Sequence, residues 1–447
     1  MIYQTKKRGF TLIETLVGTT IFVLIAFSAY KAFGILMDAV ESSRAKIAAT
    51  SLANERLEII RNLPYGDVGI IAGLPTGKIE RTQNILRDRY SFNIQTTIRN
   101  IDDPFDGTID GNPTDYSPAD YKLVDLDITC SNCKFFSPLK FTTLVSPHAL
   151  ETASTNGALF IKVFDTAGLP ISNAQVHIEN TQINPNIIID ETTDNEGWIK
   201  IIDVPPGVNT YNIRATKSGF SQDETYPAGG VAGQNPIKPN ATVALQQITQ
   251  EDFLIDKVSS LNVKSIDSSC EALPNINFSL TGTKLIGTPS VLKYQTQNFS
   301  TNSGGEYLIS NLEWDSYKIL STSSSYDLVG SNPFINFALN PNENKNIDMI
   351  IVPHIEKALL IFVKDTDGNP INGASVQLKK GLFDENKITN SNLCSTPGQV
   401  FWNGLSNGTH NITISKEGYQ TAEDSININS SWQNKEIILD YEIPLPN

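Results

Sequence analysis

The sequence predicts an α+β head, made of one long N-terminal helix and a small antiparallel sheet, followed by three all-β sandwich domains. Three features predict it. An apolar run passes into an amphipathic one over the first sixty or so residues, alternating β-branched and aromatic segments follow up to about residue 150, and a strand–turn–strand pattern then recurs roughly every hundred residues. A chain of 447 residues is too long for one hydrophobic core and divides into several domains. The net charge of −14 argues against nucleic acid as a partner, because a phosphate backbone calls for a concentrated positive face. Four cysteines are too few for a disulfide-dense miniprotein.

The N-terminal element is apolar from Phe10 to Met37 apart from Glu14, Lys31 and scattered Thr and Ser, long enough to cross a bilayer as a helix. Lys6, Lys7 and Arg8 precede it and are expected to stay cytoplasmic, so the rest of the chain faces outward. A secretory signal carries its cleavage site behind the apolar core. Here the processing-like feature, Gly9 followed by Phe10, lies in front. Glu14 is the anomaly, since a carboxylate in the apolar phase costs several kcal/mol unless something pairs with it.

The run Lys7-Arg8-Gly9-Phe10-Thr11-Leu12-Ile13-Glu14 resembles the cleavage and methylation motif of type IV prepilins and type II secretion pseudopilins. The resemblance implies that residues 1–9 are a leader, that a prepilin peptidase cuts after Gly9 and methylates the amine of Phe10, and that residues 10–37 become a transmembrane and filament-core helix. Glu14 would then offset the N-terminal ammonium of an adjacent pilin or pseudopilin, two opposite charges sharing one low-dielectric site. The implied location is a single pass of the inner membrane before assembly, then an extracellular filament or the cell surface. The alternative is a plain signal anchor whose Glu14 snorkels or is protonated.

Residues 38–150 read as the rest of the head. The helix continues with Ala48, Leu52, Ile59 and Leu63 on one stripe and ends at Pro64 and Gly66. The stretch 51–69 is similar to the helix end of minor pilins, in which the exposed half of the helix lies on a small sheet. Strands are expected at 90–102, 121–130 and 134–145, with an acidic, turn-rich loop at 102–120. Cys130 and Cys133 flank Ser131-Asn132, expected as a two-residue hairpin connection that brings them within disulfide reach. Unpaired thiols and metal or redox chemistry remain the other readings. Cys270 and Cys394 stand alone in distant segments, and His148, His177, His354 and His410 are equally scattered.

Beyond residue 150 the segments 157–179 and 357–379 match almost position for position, with 261–282 as a divergent middle copy. The sandwiches are therefore placed at 155–250, 251–356 and 357–447, with the Gly-Pro-Asn-rich stretch 228–240 as a linker. Their order of strand, Gly turn and strand resembles the carboxypeptidase regulatory-like domain, a transthyretin-like β-sandwich that accompanies other domains and does no chemistry. Gly207 and Gly408 are expected at turns that need unusual backbone angles. Asp365, Asp367 and Asn369 in "DTDGNP" lack the closing glutamate of a calcium loop and read as a turn. Asp190, Glu191, Asp194 and Glu196 read as a solvated rim, and Trp198, Trp314 and Trp402 as recurring core residues.

No nucleophile, base or ligand cluster is set in a recognised motif, so neither catalysis nor a metal or other cofactor is expected. The function expected is that of a minor pilin-like subunit carrying a stalk of sandwiches, with adhesion to a surface glycan or protein as a further role. A type II secretion pseudopilin, a surface adhesin using a pilin-type export signal and a cell-surface hydrolase are the alternatives.

Overall fold

The computed structural model describes residues 11–112, 114–147, 154–390 and 394–442. A single helix, Leu12–Arg61, leads into strands Thr82–Arg87, Tyr90–Ile101, Tyr121–Cys130 and Leu139–Val145, which form one antiparallel sheet in sequence order. The C-terminal third of the helix lies on this sheet. Ala45, Ala48, Ala49, Leu52, Ala53, Leu57 and Ile60 pack against Phe92, Ile94, Val124, Leu126 and Ile128, and the four alanines let helix and sheet approach closely. The buried face is rotated by about 60° from the stripe read in the sequence, at 100° per residue. Ile60 is 4% exposed, whereas Ile59 is 47% exposed. Arg61 fixes the helix end by donating to Thr143 Oγ1 at 2.7 and 3.0 Å.

Two expectations in the head are corrected. The strand expected from 134 begins only at Leu139, so an eight-residue loop, 131–138, replaces the two-residue hairpin. Phe135 takes φ +54° there, and its carbonyl accepts from the Ser42 hydroxyl of the helix at 3.1 Å. The edge strand Thr82–Arg87 was not foreseen, because polar Thr82, Gln83 and Asn84 dilute its alternation.

Each sandwich uses the same plan. The first strand lies between an antiparallel strand, the fourth in the first and third sandwiches and the sixth in the second, and a parallel last strand. In the first sandwich Gly157–Phe164 is flanked by Trp198–Val204 and Ile248–Leu254. In the second Ser259–Ile266 is flanked by Glu306–Leu312 and Asn344–Pro353. In the third Ala358–Asp365 is flanked by Gln399–Trp402 and Trp432–Leu439. The facing sheets are built around Gln175–Asn180 paired with Gly207–Thr216, Asn277–Gly282 with Asp315–Ser321, and Ser375–Lys380 with Gly408–Ser415. Each sandwich has its own apolar core.

One turn device recurs behind every first strand. The Asp165 carboxylate accepts from the amides of Ala167 and Leu169, Asp267 from those of Ser269 and Glu271, and Asp365 from those of Asp367 and Asn369, all at 2.7–3.0 Å. Asp365 also accepts from Tyr441 Oη, so backbone and side-chain donors fill the calcium-like alternation. Gly408 has φ +112°, whereas Gly207 is needed for space, since an added Cβ would lie 2.2 Å from Thr210 Oγ1.

The joints between units are packed. Ile188 of the first sandwich donates its N–H to Ala72 O of the head at 2.8 Å, which closes the outer edge of the strand Ile187–Thr192. The 228–240 stretch is not a free linker: Asn235–Pro236 pairs with Gly287–Thr288 of the second sandwich, and Ala232 is buried.

Candidate filament-assembly helix

The helix changes character along its length. Thr11 caps it, its Oγ1 accepting from the Glu14 N–H at 3.3 Å, an arrangement favoured at helix starts. The hydroxyls of Thr15, Thr19, Thr20 and Ser28 donate to carbonyls three or four residues earlier. Their donors are thereby satisfied within the helix, as an apolar surrounding requires. Every residue from Leu12 to Met37 is exposed, including Leu16, Phe22, Leu24, Phe27, Phe33 and Leu36. This helix is long and apolar enough to cross a membrane. From Glu41 onward it is tied to the head: Glu41 accepts from Arg89 at 2.8 Å and from Tyr90 Oη at 3.0 Å, and Glu55 from Arg87 at 2.6 Å.

Glu14 lies on the first turn of this bare segment, presented on an apolar rod with no described residue of the sheet near it. Gly9 and Phe10, the residues of the expected cleavage, lie outside the described residues, as does His148. Cys130 and Cys133 are joined by a disulfide, with Cα atoms 5.6 Å apart, that closes the start of the loop reaching the helix at Ser42. Cys270 and Cys394 are joined as well, their Cα atoms 5.5 Å apart across 124 residues of sequence. Spacing could not reveal this second pair, but comparing the repeated turns could. Cys270 has φ +68° and stands where the sister turns have Gly168 and Gly368, at +78° and +86°. Only glycine visits that region freely, so a cysteine there is out of keeping with its copies.

Of the four acids expected on a solvated rim, Asp190, Asp194 and Glu196 are exposed, and Glu191 departs from the rim. Glu191 is half-buried between the head and the first sandwich, which pushes its carboxyl above the usual range, with the Arg99 guanidinium 3.7 Å away opposing the shift. Asp190 pairs with His177 at 2.6 Å, and Asp194 accepts from the turn amides of Glu196 and Trp198. In the loop 102–120, burial first and then the neighbouring Asp115, Asp120 and Asp110 push Asp102 up to about 6. The tryptophans do not share a position. Trp198 opens the strand Trp198–Val204, Trp314 precedes Asp315–Ser321, and Trp402 closes Gln399–Trp402. Trp402 alone of the three is fully buried, while Trp198 packs on Ile109, Phe160 and Ile202 at the joint between head and first sandwich. Among the described residues no group of three or more His, Cys, Asp or Glu is arranged to hold a metal.

Residues 4–30 match the family described as the prokaryotic N-terminal methylation motif, and residues 387–444 match the PEGA domain. No curated protein matches the chain. Among solved structures, the Bacillus anthracis TIE protein is 13% identical, covering 82% of this chain and 74% of its own with a TM-score of 0.20. The minor pilin GBS52 of Streptococcus agalactiae is 15% identical over 42% of this chain and 98% of its own, TM-score 0.17. The shaft pilin SpaA of Lactobacillus rhamnosus GG is 10% identical over 45% of this chain and 98% of its own, TM-score 0.17. Scores this low carry no argument. The motif match does: the N-terminus of this chain is similar to the prokaryotic N-terminal methylation motif, and it opens a helix long and apolar enough to cross a membrane, followed by a β-rich region of several sheets.

Proposed function

We propose that the chain is a minor subunit of a type IV pilus or related filament, held by its N-terminal helix and displaying three sandwiches outside the cell. The observation that carries this reading is the bare apolar stretch Leu12–Met37 joined without a break to a segment packed in the head. Such a helix is stable in lipid before assembly and in a bundle of like helices after it. Nearly three hundred residues follow the head, a bulk that would crowd every turn of a helical filament, and this favours a rare position at the tip. Adhesion to a surface glycan or protein fits the displayed sandwiches, which we take to be carboxypeptidase regulatory-like modules without chemistry of their own. A type II secretion pseudopilin is the second reading, supported by the same N-terminal motif.

Processing tests the proposal. Cleavage after Gly9 would start the mature chain at a methylated Phe10 and remove Lys6, Lys7 and Arg8, leaving 31 basic against 48 acidic residues. Mass spectrometry of protein isolated from membranes and from sheared filaments is expected to find that N-terminus. An intact Met1, or a cut beyond Phe10, would sink the pilin reading.

A further inference from the structure

The joint between the second and third sandwiches differs in kind from the others. Leu360 and Phe362, on the first strand of the third sandwich, belong to the core of the second, where Phe362 meets Phe334 edge-on at 5.2 Å. Gln399 clamps the backbone of Ser331: its Oε1 accepts the Ser331 N–H at 2.9 Å and its Nε2 donates to Ser331 O at 2.6 Å. Trp432 Nε1 donates to Leu328 O at 2.8 Å. Gly330 sits so close to Thr396 that an added Cβ would lie 2.4 Å from its Cγ2.

The disulfide completes this joint, and neither of its cysteines has a cysteine counterpart in the sister copies. Cys270 replaces the turn glycine. Cys394 falls in an insertion: Gly398 comes nine residues after Thr389, while its counterparts Gly197 and Gly305 come four after Thr193 and Thr301. These residues correspond because Gly197, Gly305 and Gly398 each give a carbonyl to the first strand, at Val163, Ser265 and Val363. Thr193, Thr301 and Thr389 each accept from the amide just before the second strand, at Ala174, Ile276 and Ala374.

We infer that the Cys270–Cys394 bond makes the outer pair of sandwiches a length-limited, load-bearing tether. Force on a displayed stalk enters each sandwich by its first strand and leaves by its last. Those two strands are parallel neighbours in all three, over seven, seven and eight residue pairs. Pulling their opposite ends loads the whole ladder in shear rather than opening it one bond at a time. In the outer pair the disulfide adds a covalent shortcut from the turn behind Ser259–Ile266 to the segment before Gln399–Trp402. The chain between the two cysteines is then off the load path. Of about 180 residues from Ser259 to Leu439, the bond withholds a separation of 124 from extension, roughly 400 Å of extended chain.

The test is single-molecule stretching of the full chain, its helix held in a lipid nanodisc and its C-terminus tagged. The oxidised protein is expected to yield about one third of the outer pair's full contour length on unfolding. Reductant added to the same molecules is expected to restore the rest, as is Cys270→Gly/Cys394→Ser, which installs the glycine that the sister turns carry. A full-length gain from the oxidised protein, or equal gains with and without reductant, would overturn the inference. The readout needs no filament, so the pilin reading supplies only the source of force and stands or falls separately.

Discussion

One helix serves two surroundings, and its two parts show how each is specified. Residues 12–37 and 45–60 are both rich in apolar side chains, yet the first part is bare and the second is sealed on a sheet. The second carries its apolar residues on one face, with Glu55, Glu58 and Arg56 elsewhere, as a helix packed within its own chain must. The first is apolar on every side, which suits lipid or a bundle of helices and no partner inside this chain. The difference teaches that the stability of the head and the assembly of the subunit are separable properties of one continuous element.

The largest effect expected from breaking the comparison is on stability. Leu52 is fully buried, and Leu52→Ala is expected to destabilise the head by about 2–5 kcal/mol. Phe22→Ala, on the bare part, is expected to leave thermal unfolding of the head unchanged within about 0.5 kcal/mol. Circular dichroism melts of the two variants in the same micelles check this. A comparable loss from Phe22→Ala would mean that the bare part folds back on the head.

A carboxylate of the head sharpens the same contrast at a smaller scale. Asp102 belongs to an environment completed within the chain, which raises it to about 6 from the unfolded value of 3.8. Between those values the folded head binds more protons than the unfolded chain, so stability falls as pH rises from about 4 to about 6. Asp102→Asn is expected to flatten that part of the profile, read as melting temperature against pH. An unchanged slope would place the titration elsewhere.

Legibility in the sequence followed the range of the interactions. The N-terminal motif is local and dense in information, so Glu14 and the residues before it could be read directly. Strands 90–101 and 121–130 were also plain, because the alternation of Phe92, Ile94 and Ile98, and of Val124, Leu126 and Ile128, is a period of two. The repeat predicted a recurring strand pattern, and in all three copies, the divergent middle one included, the first strand lies between an antiparallel strand and a parallel later one. What failed depended on partners far away in sequence. Ile59 and Ile60 are equally apolar, and only the sheet decides which is buried. Glu191 looked like a rim because the head that covers it is about ninety residues upstream. The tryptophans suggested a common position that the register of their strands denies. Cys270 and Cys394 pair across 124 residues, and the signal was present only as a departure from the repeat, a cysteine where two copies have glycine.

The central claim is that the bare part of the helix, with Glu14 at its start, exists for assembly. It is tested most directly by the amount of this protein recovered in sheared filaments, wild type against Glu14→Ala, at equal membrane levels. Glu14→Gln is measured alongside, since it keeps the shape without the charge. Both variants are expected to be processed and inserted normally and to be depleted from filaments, because only the assembled core buries an ammonium that needs this carboxylate. Equal recovery of all three would contradict the account and leave the chain a membrane-anchored display protein with a pilin's export signal.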